Sequence, residues 1–346
     1  RVSRFGYVPT RSPSGTPLRW AGGCVFVRPH LAGTTHIDGD REQDIIAGVL
    51  DHWQAATRHC GYLRLELEAP EAGEVALDYV NRILFREDRW CRPATGDHAE
   101  QCHNPASSAL ATLIFIDRPG DPNDGVIVDA DIEVNAVDFS VGVCDGTMGR
   151  CVTEGTPPLV QDLANTLTHE VGHLLGFEHT CWAGSGPAPR DADGVPVLAC
   201  SSPDLPWEAI EATMFNFIDV GETHKATLEP MDIDAFCETY PLGMDPGTCG
   251  PAMRLDAGVD GGSPDDGGVD ASASPDGASA PDAGGQTDVG SQLEDASRRG
   301  SGTSAGGCTV GQTREAPSRM IAPVIVLAAT LIQRRARQRR SIKRVR

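Results

Sequence analysis

Between Asp40 and Thr57 apolar residues recur at helical spacing. Ile45, Ile46, Val49, Leu50 and Trp53 fall on one stripe, the pattern of a helix with one buried face. A second stripe runs through Leu159, Leu163, Leu167, Val171 and Leu174, after the pair Pro157-Pro158. Gly176 closes it, as a residue that tolerates the left-handed conformation. A third helix is predicted from Glu229 to Thr239, with Pro230 in its first turn and Ile233, Phe236 and Tyr240 turned inward. Short apolar runs at Cys24–Val27, Tyr62–Leu67, Asn81–Phe85, Leu110–Ile116 and Gly125–Val134 predict strands. The stretches 91–108 and 181–206 predict irregular loops. Strands first and helices later, with one long helix between, imply an α+β domain with a mixed sheet.

The distribution of aromatic residues sets the domain limits. No Phe, Trp or Tyr follows Tyr240, and a stretch without them rarely builds a core. The 346 residues therefore read as an extended N-terminal arm (1–23), a folded domain (24–250), a linker (251–307) and a C-terminal tail (308–346). The linker is Gly, Asp, Ala, Ser and Pro without periodicity, and carries ten acidic residues between Asp256 and Asp295, too little apolar surface to fold.

A net charge of −20 argues against nucleic acid as a partner. Ten of the eleven cysteines lie in the folded part. An even number in a loop-rich domain implies disulfides and an oxidising compartment, with scattered buried thiols or further metal ligands as the alternative. Proximity suggests Cys91–Cys102, Cys144–Cys151, Cys181–Cys200 and Cys237–Cys249. An export signal ahead of Arg1 is expected for such a protein.

The chemistry concentrates in the second helix. His169 and His173 stand one turn apart, so both imidazoles share a face, a spacing that suits two ligands of one tetrahedral zinc. Gly176 turns the backbone and brings His179 to the same ion. Three neutral imidazoles leave an open position for water, the mark of a catalytic zinc, and Glu170, beside the first ligand, is placed to act as general base on that water. The pattern HExxH arises by chance in about 1% of chains of this length, and the added Gly and His lower this roughly a thousandfold.

The stretch His169-Glu170-Val171-Gly172-His173-Leu174-Leu175-Gly176-Phe177-Glu178-His179 resembles the HExxHxxGxxH signature of the metzincin peptidases, and Gly172, Leu175 and Thr180 resemble the matrixins among them. The resemblance, covering roughly Cys24 to Pro241, implies a zincin-like fold: a mixed twisted sheet, an active-site helix, and a C-terminal helix below a Met-containing turn. Thr213-Met214-Phe215 matches that turn, which makes Met214 a packing residue beneath the histidines, with an ordinary core Met as the alternative. The activity implied is a zinc-dependent endopeptidase acting on extracellular proteins or peptides as a monomer. Here 34 residues separate His179 from Met214, and that insert carries Cys181 and Cys200, a pair expected to hold a compact loop beside the cleft. His98 and His103 lie in a loop, but no histidine pattern for a second zinc is present.

Calcium is a second candidate ion. The turn Asp117–Asp124 and the alternating Asp129, Asp131 and Glu133 offer hard carboxylates, although a solvated turn followed by the edge strand of the substrate groove is the favoured reading. In the tail, Gly306-Gly307-Cys308, an apolar run from Met320 to Ile332 and eight Arg or Lys residues from Arg334 to Arg346 are similar to a bacterial sorting signal of the MYXO-CTERM type. This implies export to the cell surface or outer envelope, or secretion, with the tail engaging the membrane or a sorting machinery. A marginal stop-transfer helix and an unstructured basic tail are the alternatives. A catalytically silent, zinc-containing surface adhesin on the same scaffold is the competing function, against which the presence of Glu170 speaks.

Overall fold

The computed structural model describes residues 6–96, 99–144, 160–184, 186–219 and 221–249, and the backbone of Cys151–Val152 and Thr309–Val310. All belong to the first of the chain's two units, Arg1–Gly311. The linker 251–307, and the tail from Cys308 onward apart from that two-residue backbone, lie outside the described residues. In chain order the elements are β1 (Arg19–Trp20), β2 (Cys24–Pro29), α1 (Arg41–Thr57), β3 (Arg64–Leu67), β4 (Asn81–Arg86), β5 (Cys91–Arg92), β6 (Gln101–Cys102), β7 (Ala109–Phe115), β8 (Val126–Asn135), β9 (Ser140–Cys144), β10 (Cys151–Val152), β11 (Val160–Asp162), α2 (Leu163–Leu174), α3 (Trp207–Glu211), β12 (Phe217–Ile218), α4 (Pro230–Thr239) and β13 (Thr309–Val310).

The architecture is mixed α and β, with a mostly parallel sheet and few helices. The main sheet has six strands in the order β1-β8-β4-β2-β3, with β7 paired to β8. Every pairing in it is parallel except β7 with β8. Helices α1 and α2 pack against each other and the sheet. The stripe of α1 buries Ile46, Val49, Leu50 and Trp53, and that of α2 buries Leu163, Leu167, Val171 and Leu174. The Trp53 indole N–H donates to the Thr168 carbonyl at 3.1 Å. The stretch predicted as an extended arm joins this core: Val8, Leu18 and Trp20 are buried.

The apolar stripe predicts a helix from Leu159, but the chain runs as β11 through Asp162. The reason is the cap. The Asp162 carboxylate accepts from the Asn165 N–H at 2.8 Å and the Cys144 N–H at 2.8 Å, which starts the helix at Leu163 and ties it to β9. Leu159 itself lies outside the described residues.

The disulfides are Cys24–Cys249, Cys60–Cys237, Cys91–Cys102 and Cys181–Cys200. Cys144 is also disulfide-bonded and faces Cys151 in the strand register. Pairing Cys237 with Cys249 by proximity is corrected: Tyr62 N–H donates to Tyr240 O and Gly23 N–H to Thr248 O, both at 2.9 Å. The end of the domain is thereby laid beside β2 and the loop before β3, and distant cysteines meet. Such bridges suit an extracellular or otherwise oxidising environment. Among the described residues no helix is long and apolar enough to cross a membrane.

Asp129, Asp131 and Glu133 do share a face, but their strand is interior. β8 is paired with β1, β4 and β7, and the antiparallel strand is β7. All three carboxylates are buried and hold loops onto the sheet. Asp129 accepts from the Asp78 and Tyr79 N–H groups, and Asp131 from those of Ala76 and Arg82. Glu133 accepts from Arg86 and Arg92.

Candidate metal centre

The helix α2 delivers His169, Glu170 and His173 into the interior, where all three are buried. Past the helix the chain reverses at Gly176, whose φ is 92°. An added Cβ there would lie 2.7 Å from the Leu18 carbonyl oxygen, so the turn requires glycine on both counts. Two aromatic donors fix the carbonyls just before it. Trp20 Nε1–H reaches Leu174 O at 2.9 Å, and the Tyr240 hydroxyl reaches Leu175 O at 2.7 Å. The N-terminal segment straps the returning chain: Thr10 N–H donates to Gly176 O at 2.8 Å, and Glu178 N–H to Val8 O at 2.7 Å. His179 follows immediately.

The three imidazoles converge. His173 Nε2 lies 3.1 Å from His169 Nε2 and 3.2 Å from His179 Nε2, and the three ligand atoms all fall within 4.8 Å of one another. Hydrogen bonds on the far side of two rings set the tautomer. His169 Nδ1 is 2.6 Å from Thr213 O, and His173 Nδ1 is 2.7 Å from Phe177 O. A carbonyl can only accept, so each Nδ1 carries the proton and each Nε2 presents a bare lone pair. Burial, first of all, pushes all three histidines down, His173 to about 4; His173 lowers His169 further, and His173 and His169 lower His179 further. At neutral pH the cluster is therefore three neutral imidazoles, and those of His169 and His173 present their Nε2 lone pairs to the space the three rings share. That is repulsive by itself and suits a cation. Three nitrogens on one tetrahedral zinc sit about 3.4 Å apart, within a few tenths of an ångström of the distances found.

The turn Thr213–Met214 lies directly beneath. Met214 is buried, and a Cβ placed on Gly172 would collide with its sulfur. The Met214 carbonyl accepts from the Thr180 N–H at 3.0 Å, next to His179. The turn is held from α4: the Asp232 carboxylate accepts from the Thr213 N–H at 2.9 Å, the Met214 N–H at 3.3 Å and the Glu229 N–H at 2.9 Å. Asp232 thus acts on the His169 ring through Thr213. Sequence reasoning missed this role, and those of Trp20, Tyr240 and the Val8–Thr10 segment. The spacing of Glu229 and Asp232 at the start of α4 was a signal for Asp232, and the periodicity that turns Tyr240 inward told of its burial but not of its hydrogen bond.

The structure brings His169, His173 and His179 together, with Glu170 buried on the same helix, Gly176 at the turn and Met214 against Gly172. Among the described residues, the other His/Cys/Glu groups with metal-compatible spacing contain Cys60 with Cys237, Cys24 with Cys249, and Cys91 with Cys102. Their sulfurs are consumed in disulfides, so they offer no thiolate. His103 packs against Trp90 with ring centroids 4.8 Å apart and the rings tilted by 59°, and His98 lies outside the described residues. No protein-family model matches this chain, and a search of curated proteins finds no match.

Proposed function

We propose that this protein is a zinc-dependent endopeptidase of the metzincin type. The observation that carries the reading is the convergence of three neutral imidazoles, two with their tautomers fixed by main-chain carbonyls, beside a buried carboxylate on the same helix. His169, His173 and His179 would hold the zinc. When bound, zinc supplies Lewis acidity, which polarises a carbonyl and acidifies water. Glu170, one residue from the first ligand, accepts the proton of the attacking water at its carboxylate and passes it to the leaving amine. The carbonyls of Thr213 and Phe177 keep the rings of His169 and His173 from rotating and raise the basicity of the Nε2 atoms. Met214 packs under the histidines as a shaped floor, and β7 offers an antiparallel edge along which an extended peptide can lie.

Export to a cell surface or outer envelope, with the C-terminal tail as a sorting or anchoring segment, belongs to the same proposal; the disulfides support the oxidising compartment it requires. The test is hydrolysis of an unbiased peptide library by the zinc-loaded protein and by Glu170→Gln. The wild type is expected to cleave internal peptide bonds. The variant should retain one zinc and lose activity by about 10²–10⁴-fold. Undiminished cleavage by the variant would refute the role of Glu170, and a zinc-loaded wild type that cleaves nothing would favour a silent binding module.

A further inference from the structure

A cavity of about 390 Å³ opens beside the histidines. The ring of His179 forms one wall, and Trp90, His103, Ser107, Leu110, Trp182 and Asn216 line much of the rest. The two indoles come from different segments, each closed by a short disulfide: Cys91–Cys102 next to Trp90, and Cys181–Cys200 next to Trp182. Both rings are held before anything binds. Trp90 Nε1–H donates to Asn104 O at 2.9 Å, with the His103 ring packed on its side. Trp182 Nε1–H donates to Gly186 O at 3.1 Å. Its ring lies so close over Gly184 that any side chain there would overlap the indole. Among the described residues, no Asp, Glu, Lys or Arg lines the cavity.

We infer that this cavity is a specificity pocket for a neutral aromatic side chain, Phe or Tyr, of a peptide lying across the three histidines. Rigid indoles flanking Leu110 bury an apolar ring and add ring–ring attraction that an aliphatic side chain does not gain. A charged side chain would lose its hydration with no opposite charge to meet it. The hydroxyl and amide groups of Ser107 and Asn216 offer partners to a tyrosine hydroxyl. That the occupant is part of a peptide rests on the endopeptidase reading; the pocket's preference for a neutral aromatic group does not.

The experiment separates the two. Zinc-loaded Glu170→Gln is titrated, by calorimetry and tryptophan fluorescence, with otherwise identical neutral peptides carrying Phe, Tyr, Ala, Lys or Glu at one scanned position. Phe and Tyr are expected to bind at least about tenfold tighter than Ala, Lys or Glu at one position. Trp182→Ala, in the same background, should shrink that ratio to about threefold or less without moving the unfolding midpoint of this half-exposed residue's domain. Ser107→Arg should turn the preference toward Glu. Equal binding of all peptides, or an aromatic preference that survives both substitutions, would overturn the pocket. Aromatic selection in the variant together with no cleavage of any of these peptides by the wild type would leave the pocket standing and sink the peptidase reading. Cleavage without aromatic selection would do the reverse.

Discussion

Gly172 and Met214 fit each other by shape. The methionine sulfur occupies the space where a Gly172 side chain would begin, between the two helix-borne histidines in sequence. Gly172→Ala should therefore destabilise the protein by roughly 1–3 kcal/mol through overpacking, and Met214→Ala by roughly 2–5 kcal/mol through a cavity. The two changes share one volume, so the double variant is expected to cost less than the sum of the singles. Urea denaturation of the four proteins measures this, and strict additivity would show that the two residues do not compete for that space. The three converging histidines were legible from spacing alone, because helical geometry puts i and i+4 on one face and glycine permits the reversal. Asp232 was not. It acts through a turn 18 residues upstream, a contact that only the tertiary fold creates.

Among the elements, the N-terminal strap and the acidic strand β8 carry separate consequences. The strap bonds to Gly176 and Glu178 on the path to His179, while His169 and His173 are fixed by the helix. Removing residues 1–10 should weaken zinc binding by about 10–100-fold, the usual range for groups that support metal ligands. Competition with a chromophoric chelator reads this out directly, and an unchanged affinity would show that the return segment holds itself. On β8, burial raises Asp129 to about 7, and burial together with Asp129 raises Asp131 to about 8. A carboxyl raised in the folded state contributes stability that is fully present below its unfolded pKa and is lost as pH climbs through the folded value. Between pH 5 and pH 8 the wild type should accordingly lose roughly 2–4 kcal/mol relative to Asp131→Asn, a comparison in which the histidine contribution cancels. A difference between the two that does not vary with pH would contradict the protonated state of this pair. The alternating carboxylates could be seen in the sequence as one strand face. Their position inside the sheet could not, because alternation alone does not distinguish an edge strand from one whose polar face is covered by loops.

For the whole molecule, the long-range disulfides join the end of the domain to its beginning. Cys24–Cys249 spans a sequence separation of 225 and Cys60–Cys237 one of 177. Loop-closure entropy makes such bridges worth about 4–5 kcal/mol each when closed independently, and these two are nested, so removing the second should cost somewhat less. Cys60→Ser with Cys237→Ser is expected to lower the unfolding midpoint by several degrees or more, and an unchanged midpoint would show that the backbone pairing of Gly61 and Tyr62 with Tyr240 and Pro241 suffices by itself. The longer strands of the main sheet and the three long helices were legible from periodicity to within a few residues at their ends, whereas the short strands β1, β5, β6, β9 and β11 and helix α3, the order of strands in the sheet and the pairing of distant cysteines depend on contacts with no local signature. The claim beneath all of this is that three imidazoles share one ion. It is tested most directly by diffraction data collected on either side of the zinc absorption edge. A single anomalous peak about 2.1 Å from the Nε2 atoms of His169, His173 and His179, with one further site taken by solvent, is the expected result. A peak that leaves out His179, or that is surrounded by four protein ligands, would contradict it.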